Sequence, residues 1–250
     1  MLKPSIITAA FNAASTIEAA LRSVASQTHP DVEHLVIDGG SNDGTQAIVT
    51  SHSQRVSTFF SEPDRGIYDA MNKGLMRASG DFIGFLNADD VYAHADVLNR
   101  VAQTMEQQNL DVLYGDVAFY RSDEPGKIVR RYSSARFRPD RIAWGWMPAH
   151  PGLFVKRDLF LKTGPFRTDF RIAGDFEFVA RLFLQQNPRY LYLPEVLVNM
   201  SLGGVSTGGW RSTVLLNKEV LRACRDNGIQ TNMLKILSKY PVKVLEHLRK

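Results

Sequence analysis

Short apolar runs alternate with helical spacing from residue 5 to residue 90, and this alternation restricts the fold more than any other feature of the chain. Ser5-Ile6-Ile7-Thr8-Ala9, Leu35-Val36-Ile37, Ser57–Phe60 and Phe82-Ile83-Gly84-Phe85-Leu86 read as strands. Between them Ile17, Leu21 and Val24 recur at helical intervals, a helix starts at Thr45, and Ile67 to Ala78 reads as another, closed by Gly80. Ser15 and Glu18 have the capping-box spacing, in which each side chain satisfies a free backbone N–H. Strands and helices in this order build a largely parallel, layered α/β sheet.

The pattern changes after a helix near Asp96–Gln108. Val112-Leu113-Tyr114 and Val117–Tyr120 read as two strands, Ser122–Gly126 as a turn and Lys127–Tyr132 as a third strand, with no helices between them. Phe176–Leu184 is helical by periodicity, Tyr190–Val198 is strand-like, Ser201–Gly209 is a glycine-rich loop and Trp210–Arg225 is again helical. The second half is therefore a mixed sheet. With no internal repeat and no clear linker, one compact domain of two functional halves fits best.

In a parallel sheet the first half's strand ends share one rim, the place where open α/β sheets bind ligands. Thr8, Ala9 and Asn12 follow the first strand, Asp38 the second, and Asn87-Ala88-Asp89-Asp90 the Phe82 strand. Paired acids at a strand end suit a hard divalent cation carrying a diphosphate; the plain alternative is a solvated turn with a helix N-cap. Asp38 could accept from a base N–H or a ribose hydroxyl, or serve as the acid of an Asx-type turn before Gly39. The dense segment Glu62-Pro63-Asp64-Arg65-Gly66-Ile67-Tyr68-Asp69-Ala70-Met71-Asn72-Lys73-Gly74 places Arg65 and Lys73 where they could meet phosphate, although Asp69 and Lys73 also form an i,i+4 pair. No Gly-x-Gly-x-x-Gly follows the first strand and no Gly-x-x-x-x-Gly-Lys-Ser/Thr occurs, which disfavours the dinucleotide and P-loop readings.

Taken in order, Ser5–Asn12, Val36–Thr45, Glu62–Gly74 and Ser79-Gly80-Asp81 running into Leu86–Asp90 resemble the inverting glycosyltransferases of family 2, over residues 4–91. The resemblance implies a GT-A type α/β/α layered sandwich: a mostly parallel nucleotide-sugar half (1–115) joined to a mixed-sheet acceptor half (116–210), followed by a basic helical tail (211–250). It implies that Thr8, Ala9 and Asp38 surround the nucleoside, and that Asp89 contacts the metal (Mn2+ or Mg2+) with Asp90 beside it. Asn12, Arg65, Asn72, Lys73, Asn87, Ala88 and Asp90 complete the expected nucleotide-sugar contacts. Asn87 stands where many members carry a first Asp, and Gly39 where many carry a second acid. The implied activity is transfer, with inversion, from a nucleotide-diphosphate sugar of UDP type to a hydroxyl of a glycan or lipid-linked saccharide, in cell-surface polysaccharide synthesis.

Such a displacement needs a base for the acceptor hydroxyl. Asp175 in Ile172-Ala173-Gly174-Asp175-Phe176-Glu177-Phe178 reads on its own either as a base or as a helix N-cap. The resemblance, which places a catalytic Asp after an element seen here as Gly164-Pro165-Phe166, makes Asp175 the leading base and Glu177 the runner-up. His150 in Met147–Phe154 is a candidate acceptor or phosphate contact, or a surface group; Gly203-Gly204-Val205-Ser206 is a candidate lid.

Residues 211–250 hold nine Lys/Arg against Glu219, Asp226 and Glu246, so +6 of a total of +4 sits there and −2 on the remainder. Met233–Tyr240 and Val242–Lys250 interleave basic and apolar residues, suiting either an anionic membrane surface or a helix packed on the domain with a solvated face. Lys127, Arg130, Arg131, Arg136, Arg138 and Arg141 could receive a pyrophosphate or stay solvated. The lone Cys224 excludes an intramolecular disulfide and a Cys-based zinc site. With no secretory signal pattern and no long apolar run, the expected location is the cytoplasm, with the inner face of the plasma membrane as a peripheral option. Three rivals remain. A sugar-1-phosphate nucleotidyltransferase would need a Gly-rich loop after the first strand, where Ala9-Ala10-Phe11-Asn12 stands. A nucleic-acid binder is disfavoured by the slightly acidic core. A non-catalytic sugar-nucleotide binder would lack a base such as Asp175.

Overall fold

The computed structural model describes residues 1–52, 56–121, 124–202 and 209–240. Strands β1 (Pro4–Ala10), β2 (Glu33–Asp38), β3 (Thr58–Ser61) and β4 (Phe82–Phe85) run parallel in the order β3-β2-β1-β4. Side chains alternate across a strand, so Ile6 and Ile7 enter different cores. Ile7, Leu35 and Ile37 face α3 (Ile67–Leu75), while Ile6 and Phe82 face α4 (Val97–Gln107). A third cluster packs Val36 and Ala10 under α1 (Ile17–Ala25) and α2 (Thr45–Ser51). The result is the expected α/β/α sandwich.

The sheet continues into the second half. From β4 it runs through β8 (Leu153–Lys156), β6 (Val112–Arg121), β9 (Tyr190–Ser201) and β5 (Val91–Tyr92), with β7 (Glu124–Tyr132) also on β6. The β4–β8, β8–β6, β6–β7 and β9–β5 pairs are antiparallel and β6–β9 is parallel. Helices α5 (Arg157–Thr163) and α6 (Gly174–Gln186) cover the α3 side.

Several expectations change. The strands read at Val112–Tyr114 and Val117–Tyr120 are one strand, β6, with a register shift around Gly115. Leu197 of β9 packs over Gly115, so the glycine that looked like a break is a packing position. The boundary drawn at 115/116 thus falls inside a strand. The capping box at Ser15–Glu18 does not form: Thr16 is the N-cap without a side-chain bond, the Thr16 and Ile17 amides donate to Ala13 O, and Glu18 pairs with Arg22 instead. Helix α3 ends at Leu75, three residues before the Ala78 expected.

The basic tail is part of the domain as far as residue 240. Helix α7 (Trp210–Asp226) and α8 (Met233–Leu237) contribute Val220, Ala223, Cys224 and Ile236 to the same core as α6. The amphipathic spacing there serves packing; Val242–Lys250 lies outside the described residues, as does the lid at Gly203–Ser206. Among the described residues no helix is long and apolar enough to cross a membrane.

Candidate active site

The rim forms as the parallel strands require: Ala10 of β1 sits opposite Asp38, and Asp38 opposite Ser61. Asp38 is fully buried, and its carboxylate accepts from Gly40 N (3.2 Å), Ser41 N (3.0 Å), Ser41 Oγ and Ser61 Oγ (2.6 Å). These donors make it the anchor of the 39–42 turn, which is the Asx-type alternative. Asn12 joins the same turn, its amide donating to Ser41 Oγ and its Oδ1 accepting from Asn42 N. Thr8 is turned into the sheet, with Oγ1 3.0 Å from His34 Nε2, so its hydroxyl is not at the rim. Ala9 remains partly open. A Cβ on Gly39 would strike the Asp64 carboxylate, which occupies the space of the absent side chain.

At the end of β4, Ala88 packs against Ala10 and Ile17 and fixes the turn. Asp89 is half-buried and Asp90 is buried. Burial, and then the charge of Asp89, pushes the Asp90 carboxyl up to about 8, although Asn87 Nδ2 (3.0 Å) and the Ser201 backbone donate to it. Burial also raises Asp89. Asn87 Oδ1 is buried and has no hydrogen-bond partner. Three oxygen-bearing side chains with too few donors among them are the kind of acceptors that a hard cation satisfies. No group of three His, Cys, Asp or Glu side chains clusters among the described residues. Mg2+-like ions, however, complete their shell from one or two carboxylates, water and substrate phosphates, so the donor set fits.

Helix α3 faces both halves. Lys73 Nζ meets Glu62 (2.9 Å), Asp69 (3.5 Å) and Pro63 O, and Arg65 pairs with Asp69 while remaining 77 % exposed. Lys73 is thus committed locally, and of the two Arg65, though paired with Asp69, is the more exposed. Asn72 is not at the rim. Its Nδ2 donates to Phe166 O and its Oδ1 accepts from Phe166 N, both at 2.8 Å, clamping α3 to the Gly164-Pro165-Phe166 element. Nothing local to Asn72 signals a main-chain partner 94 residues away.

Tyr68 carries the link to the second half. Its hydroxyl donates to Ile172 O (2.6 Å) and lies 3.3 Å from Asp175 Oδ1, and its ring lies so close to Gly174 that a Cβ there would fall 2.7 Å from it. Asp175 is the second residue of α6; the N-cap is Ala173, so the capping alternative does not hold. Phe176 N (2.8 Å) shares Oδ1 with Tyr68. Burial raises the Asp175 carboxyl above the usual range, opposed by His150, Phe176 N and Tyr68. His150 lies beside it in a short turn, stacked on Phe85 (centroids 5.3 Å apart), with Nε2 buried and unpartnered and its pKa lowered by burial. Glu177 is elsewhere, locked by Arg181 (2.8 Å and 2.9 Å) and 1 % exposed, so it serves structure. Of the basic stretch, Arg131 pairs with the buried Asp116 and Arg138 with Asp140.

A sheet that is parallel in its first half, mixed in its second and covered by helices on both faces is the architecture of GT-A glycosyltransferases. Residues 5–182 match the family model described as Glycosyl transferase family 2, and the chain belongs to that family. The chain is 33 % identical over 226 residues to the "PGL/p-HBAD biosynthesis glycosyltransferase" of Mycobacterium tuberculosis, covering 87 % of this chain and 82 % of that one. Among solved structures, Staphylococcus aureus TarS 1-349 in complex with UDP-GlcNAc is similar with a TM-score of 0.68 and 21 % identity, over 88 % of this chain and 67 % of that one. The mannosyltransferase PcManGT of Pyrobaculum calidifontis, in complex with GDP-Man and Mn2+, gives 0.62 and 20 %, over 88 % and 64 %. Against the longer TarS chain the match spans 40 % of its length. At these identities the solved structures show the fold alone.

Proposed function

We propose that the protein transfers a sugar, with inversion, from a nucleotide-diphosphate sugar of UDP type to a hydroxyl of a saccharide or lipid-linked acceptor. The observation that carries this reading is Asp175: a half-buried carboxylate at the start of α6, held at Oδ1 by Phe176 N and Tyr68 with Oδ2 left for an acceptor hydroxyl, and raised by burial. The proton of the acceptor hydroxyl passes to Asp175 Oδ2, its oxygen bonds to the anomeric carbon from one face, and the bond to the diphosphate oxygen breaks on the other. Ala9, Asn12 and the 39–42 turn wall the nucleoside, and Arg65 meets phosphate. Asp89, Asp90 and the Asn87 amide oxygen would hold Mn2+ or Mg2+, which supplies charge neutralisation of the leaving diphosphate. The UDP-GlcNAc complex of TarS supports the donor class, and the mycobacterial relatives' names support a biosynthetic acceptor. A lipid-linked acceptor would bring the protein to an anionic surface, which exposed basic side chains of α7 such as Arg211, Lys218 and Arg225 would meet.

Asp175→Asn tests the reading, because it keeps shape and removes basicity. Turnover of a donor selected by screening UDP- and GDP-sugars should fall ~10²–10⁴-fold with little change in donor affinity. A fall in affinity at normal turnover would assign Asp175 to binding.

A further inference from the structure

Glu219 lies on α7 between Leu216, Val220 and Ala223, on the face of the helix that packs into the core, and is 8 % exposed. An ionised acid there is costly unless donors meet it. It receives three: Arg171 N donates to Oε1, and Ile172 N and Ala173 N donate to Oε2, each at 2.8 Å. Three successive amides converging on one carboxylate form an anion-binding concavity of main chain, and bonds to an ionised acceptor are about twice as strong as neutral ones.

The same three residues lead into α6. Ala173 is its N-cap, and Asp175 follows two positions later. Ile172 is gripped from both sides, its N–H by Glu219 and its carbonyl by the Tyr68 hydroxyl that also reaches Asp175. We propose that Glu219 is a positioning residue for Asp175, acting through the main chain of residues 171–173. The proposal rests on the reading of Asp175 as base. It gives α7 a part in transfer: the helix is fixed in the core at Val220, Ala223 and Cys224, and Glu219 extends that fixed point to the base. A displacement of the base by about 1 Å is enough to cost ~10²-fold in rate.

The full-length chain is tested as Glu219→Gln, Glu219→Asp and Asp175→Asn, with donor turnover, donor KM and amide hydrogen exchange measured on each. Glu219→Gln turns an N–H₂ toward donors that need an acceptor, whereas Glu219→Asp keeps the charge one methylene shorter. The expected result is a kcat lowered about 10–100-fold in Glu219→Gln with donor KM within about twofold. Exchange should rise at residues 171–173 and stay unchanged in β1 and β2, and Glu219→Asp should recover part of the rate. Faster exchange with unchanged kcat would leave Glu219 a structural brace and overturn the proposal, as would a loss of donor binding in step with rate. If Glu219→Gln does not fold, Glu219→Asp decides by the same criteria. Normal turnover in Asp175→Asn overturns the reading of the base and this proposal with it; loss in Asp175→Asn with full kcat in both Glu219 variants overturns the proposal alone.

Discussion

Asp38 and Asp90 make an instructive pair. Both are buried, Asp38 at the end of β2 and Asp90 in the turn that follows β4, the two strands that flank β1. Asp38 has its donors supplied by the chain: two amides and two hydroxyls within a turn and the next strand. Asp90 receives Asn87 and the Ser201 backbone, faces the charge of Asp89, and is pushed up to about 8. A carboxylate whose partners are built in shapes the backbone around it. One left short of partners is a place for something brought from outside. The same contrast separates Glu177, consumed by Arg181, from Asp175, whose described hydrogen bonds fall on Oδ1.

The strongest attempt to break this contrast is Asp89→Ala. Turnover should drop by about 10³-fold or more, since cation-assisted charge neutralisation is worth several kcal/mol, while the melting temperature stays within a degree or two. A variant that transfers sugar normally in the presence of chelator would remove the distinction. Asp38→Ala should behave in the opposite sense. Leaving its donors unmet in the interior costs on the order of 4 kcal/mol, or roughly 10 °C in melting temperature for a chain of this size. A melting temperature equal to that of the parent would show that the turn does not depend on its acid.

The smallest effect sharpens the contrast away from the rim. His34 is buried in β2 with Thr8 on Nε2 and no partner on Nδ1, and burial pushes it from 6.5 down to about 4. Between those values the unfolded chain binds a proton that the folded one refuses. Stability present above pH 6.5 is therefore lost as pH falls toward 4, by about 2–3 kcal/mol. Urea unfolding at pH 7 and pH 4.5 should show this loss, and His34→Gln should reduce it. A slope unchanged by the substitution would point to other groups. An unmet nitrogen sealed in a sheet yields pH dependence, whereas the unmet Asn87 Oδ1 lies beside two carboxylates at a strand end.

Much of the rim was legible in the sequence because parallel strands bring their ends together and the acids stand at those ends. The place of Asp175 at the start of a helix was legible as well, and the placement of Ala173 as N-cap removes its capping alternative. What escaped was non-local. Asn72 and Lys73 look like ligand groups in a polar helix, yet one grips the main chain of Phe166 and the other answers Glu62 and Asp69. Glu219 was counted only as one acid among basic neighbours. Its helical position between Leu216, Val220 and Ala223 was the available signal, since an acid on an apolar face implies a partner. Gly115 misled in the other direction, because a glycine filled by a neighbouring leucine reads as an interruption.

The single strand β6 has a consequence for building chimaeras. It is shared by both halves and pairs along its length with β9. Exchanging acceptor halves between relatives at residue 115 would join two half-strands from different parents, each carrying only part of the register that β9 reads. A crossover in the turn at residues 108–111, ahead of β6, would carry β6 and β9 across as one inherited unit, with β8 as their shared seam to β4.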